Sequence, residues 1–479
     1  MTVSADLTTM TAVELSGAIK NRKVSCREVM TAYLARIDRL NPKVNAIVAL
    51  RDEAELLREA DERDEDLARG DWRGPLHGFP HAVKDLSPVR GILSTEGSPI
   101  LKDFVGKEDS IFVERLRRGG VVFIGKTNTP EFGLGSQTYN EVYGATRNPY
   151  DLSKTAGGSS GGAATALALR LQPVADGSDF GGSLRNPAGY NNVIGFRPSY
   201  GRVPAGPNKE IFFQQLSTDG AMGRNVADTA MLLSVMAGPD SRAPLSIDQN
   251  PAVFAEPLKH DPRGTRIGWL GDMGRMPMEP GVLDLCRKAL GDFEALGCVV
   301  EEASIDFPVE KIWRTFVTLR HFFMIGRLQA YYNDPAKRAL LKPEAVWEVE
   351  NGLRLSAIQI HEAVAARAAW YQALRRAFEK FDFLVLPSSQ VFPFDVTTHW
   401  PSEIAGTKMD SYHRWMEVMG PATLSTCPVI GLPAGFNEAG LPMGIQVMGP
   451  RQADLALLRL AYAYDEATGW AAKRPPPLD

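Results

Sequence analysis

Two glycine- and serine-rich runs constrain this chain more than any other feature: Gly157-Gly158-Ser159-Ser160-Gly161-Gly162 and Gly177-Ser178-Asp179-Phe180-Gly181-Gly182-Ser183. Between them, Ala163 to Leu171 reads as an Ala/Leu helix, followed by a short strand near Val174. Unhindered glycine turns at both ends of such a unit present many backbone N–H groups in a small volume. Groups of that kind can converge on an anion or an oxyanion. Composition alone also allows a flexible Gly/Ser connection at the second run.

The flanking sequence alternates helical and strand patterns. Ser25 and Glu28 form a capping box ahead of the apolar positions Val29, Tyr33, Leu34 and Ile37, and Asn41-Pro42 is expected to end that helix. A helix from Ser110 stops at Gly119-Gly120 and leads into the β-rich Val121 to Ile124. Strand-like Arg266 to Leu270, an amphipathic Val282 to Leu296 and strand-like Val299-Val300 repeat the alternation, which supports an α/β class. Residues 311–380 are helix-rich and aromatic, with most of their rings expected in the core. Strand-like Phe383 to Leu386, Pro428 to Leu432 and Met443 to Met448 precede a closing helix from Ala453 to Thr468.

Charge and composition narrow the partners. A net charge of -4 over 479 residues offers no basic field for nucleic acid or anionic lipid, so a small neutral molecule is the expected partner. The four cysteines (Cys26, Cys286, Cys298 and Cys427) lack CxxC or Cys/His metal spacing and read as reduced thiols, with no metal site and no cofactor expected. The opening MTVSADLTTM lacks a basic region and an apolar run, and no stretch approaches the roughly 20 apolar residues that span a bilayer. A cytoplasmic protein is the expectation.

Two familiar patterns fail on local context. Gly120-x4-Gly125-Lys126-Thr127 matches a phosphate loop, yet Val121 to Ile124 within it reads as the strand itself and Pro130 prevents a following helix. Gly157-Gly158-Ser159-Ser160-Gly161 matches a nucleophile elbow, but a polar loop from Arg147 to Lys154 precedes it where a strand is required. The downstream histidines His260, His321, His361, His399 and His413 sit in no catalytic pattern and read as surface or core polar groups. Ser183, directly after the amides of Phe180, Gly181 and Gly182, remains as a nucleophile in need of a base. A desolvated lysine can serve, and Lys84 lies at an apolar-flanked strand end in His81-Ala82-Val83-Lys84-Asp85-Leu86. From context alone, a salt bridge between Lys84 and Asp85 is the stronger reading.

The two runs together, through Leu184-Arg185, resemble the signature of the amidase signature family. The likeness extends to Gly78-x-Pro80 with Lys84-Asp85, Gly125 to Asn128 with Glu131, Tyr143-Gly144 with Asn148-Pro149, and Leu432 to Gly435 with Gly440 to Pro442. It therefore implies a single catalytic domain over 1–479, with N-terminal helices to about residue 70, a signature core over about 71–240 and a helix-rich substrate-side region over about 305–420. The implied fold is a mixed, mostly central β-sheet covered by helices on both faces.

By that resemblance Ser183 is the nucleophile, Ser159 the bridging serine after a cis Gly158-Ser159 peptide, and Lys84 the base. The oxyanion would be bound by backbone N–H groups of Phe180, Gly181, Gly182 and Ser183, with Ser160, Asp179 and Arg185 in supporting positions and Gly133, Leu134 and Gly135 lining the acyl pocket. Departures from the family pattern are Asn192, where a small residue is usual, and Phe196-Arg197-Pro198-Ser199 in place of Leu-Lys-Pro-Thr. The implied activity is hydrolysis of a small-molecule carboxamide, ester or carbamate, with a homodimer as the default assembly. The alternative is a glutamine-hydrolysing, A-type amidotransferase component working with a partner protein. Arg320, Arg327 and Arg414 are the arginines considered for its carboxylate clamp, though sequence cannot place them. A silent scaffold of the same fold is disfavoured because every member of the triad is present.

Overall fold

In the computed structural model, which describes residues 6–208 and 210–478, Thr11 with Glu14 caps α1 (Ala12–Lys20) and Ser25 with Glu28 caps α2 (Cys26–Val44). Residues 1–5, half of the N-terminal stretch behind the cytoplasmic reading, lie outside the described residues. Helix α2 does not stop at Asn41-Pro42. Pro42 withholds only one N–H in the last turn, while left-handed Asn45 and the Asn41 side chain, accepting from Ala46 and Ile47, close the end beyond it.

The chain continues through β1 (Ile47–Val48), α3 (Glu53–Ala68), β2 (Pro80–Lys84), α4 (Ile111–Arg118) and β3 (Val122–Thr127). These strands form a three-stranded sheet in the order β1-β3-β2, with β2 parallel to β3 and Lys84 opposite Thr127. Strand β3 runs on through Gly125-Lys126-Thr127, so all of the phosphate-loop pattern after Val121 is strand. Lys126 is buried there, donating to the Ser87 carbonyl at 2.5 Å.

The two glycine-rich runs bracket α5 (Gly161–Ala168), β4 (Ala175–Asp179) and α6 (Arg185–Asn191). Helix α5 begins earlier and ends sooner than its Ala/Leu pattern, and its Gly162 lies against the Asn128 backbone, where an added Cβ would fall 2.4 Å from an amide nitrogen. Gly177, Ser178 and Asp179 are not a turn, as the composition suggested, but the end of β4. Their backbone pairs with β6, and the glycine lets the strand pass close to Ser160.

After β5 (Ile194–Arg197), β6 (Thr218–Gly223) and α7 (Val226–Met236) come β7 (Arg266–Trp269), α8 (Val282–Ala295) and β8 (Val299–Glu302). The helical region holds α9 (Val309–Tyr332), α10 (Pro335–Arg338), α11 (Pro343–Leu353) and α12 (Ala357–Ala377). The chain then passes through β9 (Phe383–Pro387), β10 (Glu403–Ile404), β11 (Thr407–Lys408), α13 (Gly420–Ser425), β12 (Val429–Phe436), β13 (Pro442–Met448) and α14 (Asp454–Thr468).

The central sheet is eight-stranded, in the order β4-β6-β5-β12-β13-β9-β7-β8. It is mixed: pairs from β4 to β9 are antiparallel, whereas β9, β7 and β8 are parallel, joined by helical crossovers through α8 and through the helices between β8 and β9. Helices cover it, α5 and α6 packing together in one layer and α7, α8 and α14 in another. Strand β2 packs beside β4, which brings Lys84 from the smaller sheet to the glycine-rich runs of the larger one. One apolar cluster runs from Ala12 to Tyr464. All four cysteines are buried and unpaired, and no helix among the described residues is long and apolar enough to cross a membrane.

Candidate active site

Lys84 ends β2 with 1% of its surface exposed. Three hydroxyls surround its Nζ: Ser160 Oγ at 2.7 Å, Ser159 Oγ at 2.8 Å and Ser178 Oγ at 3.1 Å, with the Ser178 carbonyl at 3.3 Å. Asp85 does not pair with it. Successive residues at a strand end point to opposite sides, and Asp85 accepts from the Thr95 hydroxyl at 2.6 Å while lying 3.7 Å from Lys126 Nζ. Among the described residues no carboxylate reaches ion-pairing distance of Lys84. Burial therefore dominates its titration and lowers it to about 7, against the opposing pull of Asp176, Asp219 and Asp179.

Ser159 follows a cis peptide bond from Gly158 and is 3% exposed. On its other side lies Gly133, where an added Cβ would stand 3.6 Å from Ser159 Oγ. Ser183 sits in the turn between β4 and α6. Its hydroxyl makes no hydrogen bond among the described residues and keeps a narrow exposure of 7%.

Asp179 shapes that turn. Its carboxylate accepts the N–H of Gly182 at 2.9 Å and of Leu184 at 3.1 Å, and is gripped by Arg185 through Nη2 at 2.9 Å and Nε at 3.0 Å. Despite complete burial, the Arg185 and Arg197 guanidinium groups and the Gly182 amide hold this carboxyl well below the usual carboxylate range. The Gly182 N–H is thus already committed to Asp179, which removes it from the four donors expected to meet an oxyanion. The amides of Phe180, Gly181 and Ser183 have no acceptor among the described residues.

Of the residues expected to line an acyl pocket, Gly133 and Gly135 are partly exposed, and Gly135 faces the Tyr412 ring. Leu134 between them is buried in a cluster with Phe132, Met324, Leu328 and Val349, so its side chain packs the loop from behind. The helical region holds this loop: Lys342, capping α11, donates from Nζ to the Leu134 carbonyl at 2.8 Å, and Arg327 Nη1 of α9 to the Phe132 carbonyl at 3.0 Å. Phe316 of α9 approaches the turn before Ser183, 3.1 Å from where a Gly181 Cβ would stand.

All three arginines considered as carboxylate clamps are engaged. Arg320 bonds Glu348 at 2.6 Å and Tyr412 Oη at 2.8 Å while lying over the Phe180 ring, and Arg327 pairs with Glu96. Arg414 contacts Glu310 at 2.9 Å and Glu417 at 3.0 Å. Of the histidines, His321 Nδ1 donates to the Glu348 carboxylate at 2.6 Å and His413 stacks on Tyr412. Neither hydrogen-bonds to Ser159 or Ser183.

Sequence reasoning missed Ser178, Asp176, Asp219 and Arg197. Arg197 belongs to the departure from the family pattern, yet its Nη1 donates to the Asp179 carbonyl at 2.7 Å and braces the turn. The available signal was an arginine between Phe196 and Pro198 on a buried strand. Asn192, the other departure, adopts the left-handed conformation that ends α6 and donates to Tyr150 Oη at 3.0 Å.

The profile of the Amidase family matches residues 28–458. This chain belongs to the Amidase family. It is similar to the acylamidase of Rhodococcus erythropolis, with 33% identity and 97% of each chain covered. It is also similar to the A-type component of the glutamyl-tRNA(Gln) amidotransferase of Moorella thermoacetica, with 32% identity over 97% of this chain and 98% of the relative. Among solved structures, a bacterial aryl acylamidase of the amidase signature enzymes superposes with a TM-score of 0.90 and 30% identity, covering 97% of this chain and 99% of the other. The Amidase family's chemistry is hydrolysis at an amide carbonyl, and this enzyme is a hydrolase of that class.

Proposed function

We propose that the protein is a serine amidase of small-molecule acylamides, in which Ser183 is the nucleophile, Ser159 the proton relay and Lys84 the base. The observation that carries this reading is the contact between a fully desolvated Lys84 Nζ and Ser159 Oγ at 2.8 Å. A lysine lowered to about 7 holds a substantial neutral fraction at neutral pH, as a base must.

Neutral Lys84 takes the proton of Ser159, Ser159 takes that of Ser183, and Ser183 Oγ bonds to the acyl carbon. The carbonyl oxygen becomes an oxyanion facing the amides of Phe180, Gly181 and Ser183, while Gly182 serves by fixing the turn through Asp179. As the tetrahedral intermediate collapses, Ser159 protonates the departing nitrogen and regains a proton from Lys84. Water then attacks the acyl-enzyme by the same relay, releasing the acid and Ser183. No step requires a metal or cofactor, and Ser160 keeps Lys84 aimed by its 2.7 Å contact.

An acyl group without charge fits the pocket side best. Its loop rests on Phe132, Leu134 and Met324, and Arg320, Arg327 and Arg414 are already paired, so a free amino acid's carboxylate has no uncommitted partner among them. A single catalytic domain acting as a cytoplasmic homodimer completes the proposal; the four unpaired cysteines agree with a reducing compartment.

The test is release of amine or ammonia from an aliphatic amide, an anilide, an ester, a carbamate and glutamine by wild type and Ser183→Ala. Turnover of the amide or anilide that disappears in the variant is expected. Glutamine turnover that appears only with a companion protein would favour the amidotransferase reading, and activity persisting in Ser183→Ala would exclude Ser183 as nucleophile.

A further inference from the structure

One carboxylate near the relay is left without a hydrogen bond or ion pair among the described residues: Asp219 of β6. It lies directly opposite Ser178 in the antiparallel β4/β6 pair. Directly opposed residues project from the same face of a sheet with their Cβ atoms about 5 Å apart. Ser178 in turn touches Lys84 Nζ at 3.1 Å through its hydroxyl. Ser178 and Asp219 are both partly exposed, whereas Lys84, Ser159 and Ser160 on the inner side are buried. The pair is therefore a line of polar groups from solvent to the base.

We infer that Asp219 is a positioning residue that sets the proton affinity of Lys84, its charge acting from directly across the β4/β6 pair beside the Ser178 hydroxyl. The inference rests on Lys84 being the base.

Other charges facing Lys84 are committed elsewhere. Asp176, two residues before Ser178 on the same face of β4, accepts from His81 Nε2 at 2.9 Å and from the Lys84 backbone N–H. Asp179 is locked to Arg185 and Arg197, Lys126 of β3 to Asp85, and Arg327 of α9 to Glu96. Among the described carboxylates facing Lys84, Asp219 is the one that is uncommitted and partly exposed. Desolvation and the like charge of Asp176 raise it to about 7, so it changes charge over the same pH range as Lys84.

The experiment is the pH dependence of kcat/KM for 4-nitroacetanilide, or whichever amide of the panel proves the better substrate, in wild type, Asp219→Asn and Asp219→Glu. An ionised Asp219 favours protonated Lys84, so its removal should shift the acid limb to lower pH by roughly one unit, the effect of one charge at this range in a protein interior. Asp219→Glu should restore the wild-type limb. A limb that stays in place in Asp219→Asn, or moves to higher pH, overturns the inference while leaving Lys84 as base. A folded Asp219→Asn protein inert even at alkaline pH overturns it too, since tuning alone leaves an alkaline rate. If wild type itself shows no acid limb, the assignment of Lys84 as base fails, and this inference with it.

Discussion

The carboxylate of Asp179 holds the N–H of Gly182 at 2.9 Å, and so one amide of the glycine turn is fixed inward while its neighbours remain available. The same carboxylate is held by Arg185 and braced by Arg197, neither of which has any exposed surface. The turn before Ser183 is thus organised by a buried ion cluster, and its amides are pre-oriented before any charge develops.

Asp179→Asn should uncouple that arrangement. Loss of oriented oxyanion donors is expected to lower kcat by about 10²–10³-fold with a smaller change in KM. Leaving Arg185 buried without its partner should cost roughly 3–5 kcal/mol of stability. Steady-state kinetics and denaturant melts on the same preparation check both, and a variant with full kcat would show that Asp179 does not shape the turn.

Catalysis should depend on pH through Lys84. Because burial lowers its ammonium to about 7 and only the neutral amine accepts a proton, kcat/KM should rise as pH passes upward through 7 and fall tenfold per unit well below it. Lys84→Met, similar in length and uncharged, should abolish turnover across the range. A rate flat from weakly acid to alkaline pH in wild type would contradict the base assignment.

Gly133 is a test of the pocket. Its φ of +72° favours glycine, and an added Cβ would fall 2.7 Å from Leu86 Cδ1 and 3.6 Å from Ser159 Oγ. Gly133→Ala should therefore lower kcat/KM for bulky acyl groups by roughly tenfold more than for an acetyl group, the scale of one methylene in a shaped pocket. Equal loss across an acyl series would place Gly133 outside the acyl site.

Glu348 anchors the helical region. It is completely buried and receives Arg320, His321 and Tyr412 at 2.6, 2.6 and 2.5 Å. These partners hold it well below the usual carboxylate range, and burial pushes the adjacent His413 down to about 3. Glu348→Gln should leave Arg320 uncompensated and destabilise the protein by roughly 3–5 kcal/mol. Thermal melts measure this. An unchanged melting temperature would mean that Arg320 finds another partner.

Local order was legible wherever a pattern acts at short range. The capping box at Ser25 and Glu28, the α8 amphipathic run and the strands ending at Leu386 and Met448 formed near their expected places, because caps and periodicity are read by neighbouring residues. The resemblance carried by the two glycine-rich runs, Lys84 and the flanking motifs named the family. From the chain's own context the stronger reading made Lys84 the partner of Asp85; only the resemblance made it a base.

Tertiary structure ruled out that pairing. Strand geometry turns Asp85 toward Lys126, and the packing of β2 beside β4 encloses Lys84 among three hydroxyls, where desolvation lowers its proton affinity. Pairing of β4 with β6 converted Gly177 to Asp179 from an expected turn into a strand and set Asp219 opposite Ser178. Folding likewise brought Arg197 to the Asp179 carbonyl and engaged every arginine offered as a carboxylate clamp. Sequence by itself determined the local elements and the residue types available for catalysis. Which polar groups meet, and which of them lose their water, depends on contacts between segments far apart in the chain, and those contacts set the proton affinities on which the proposed chemistry rests.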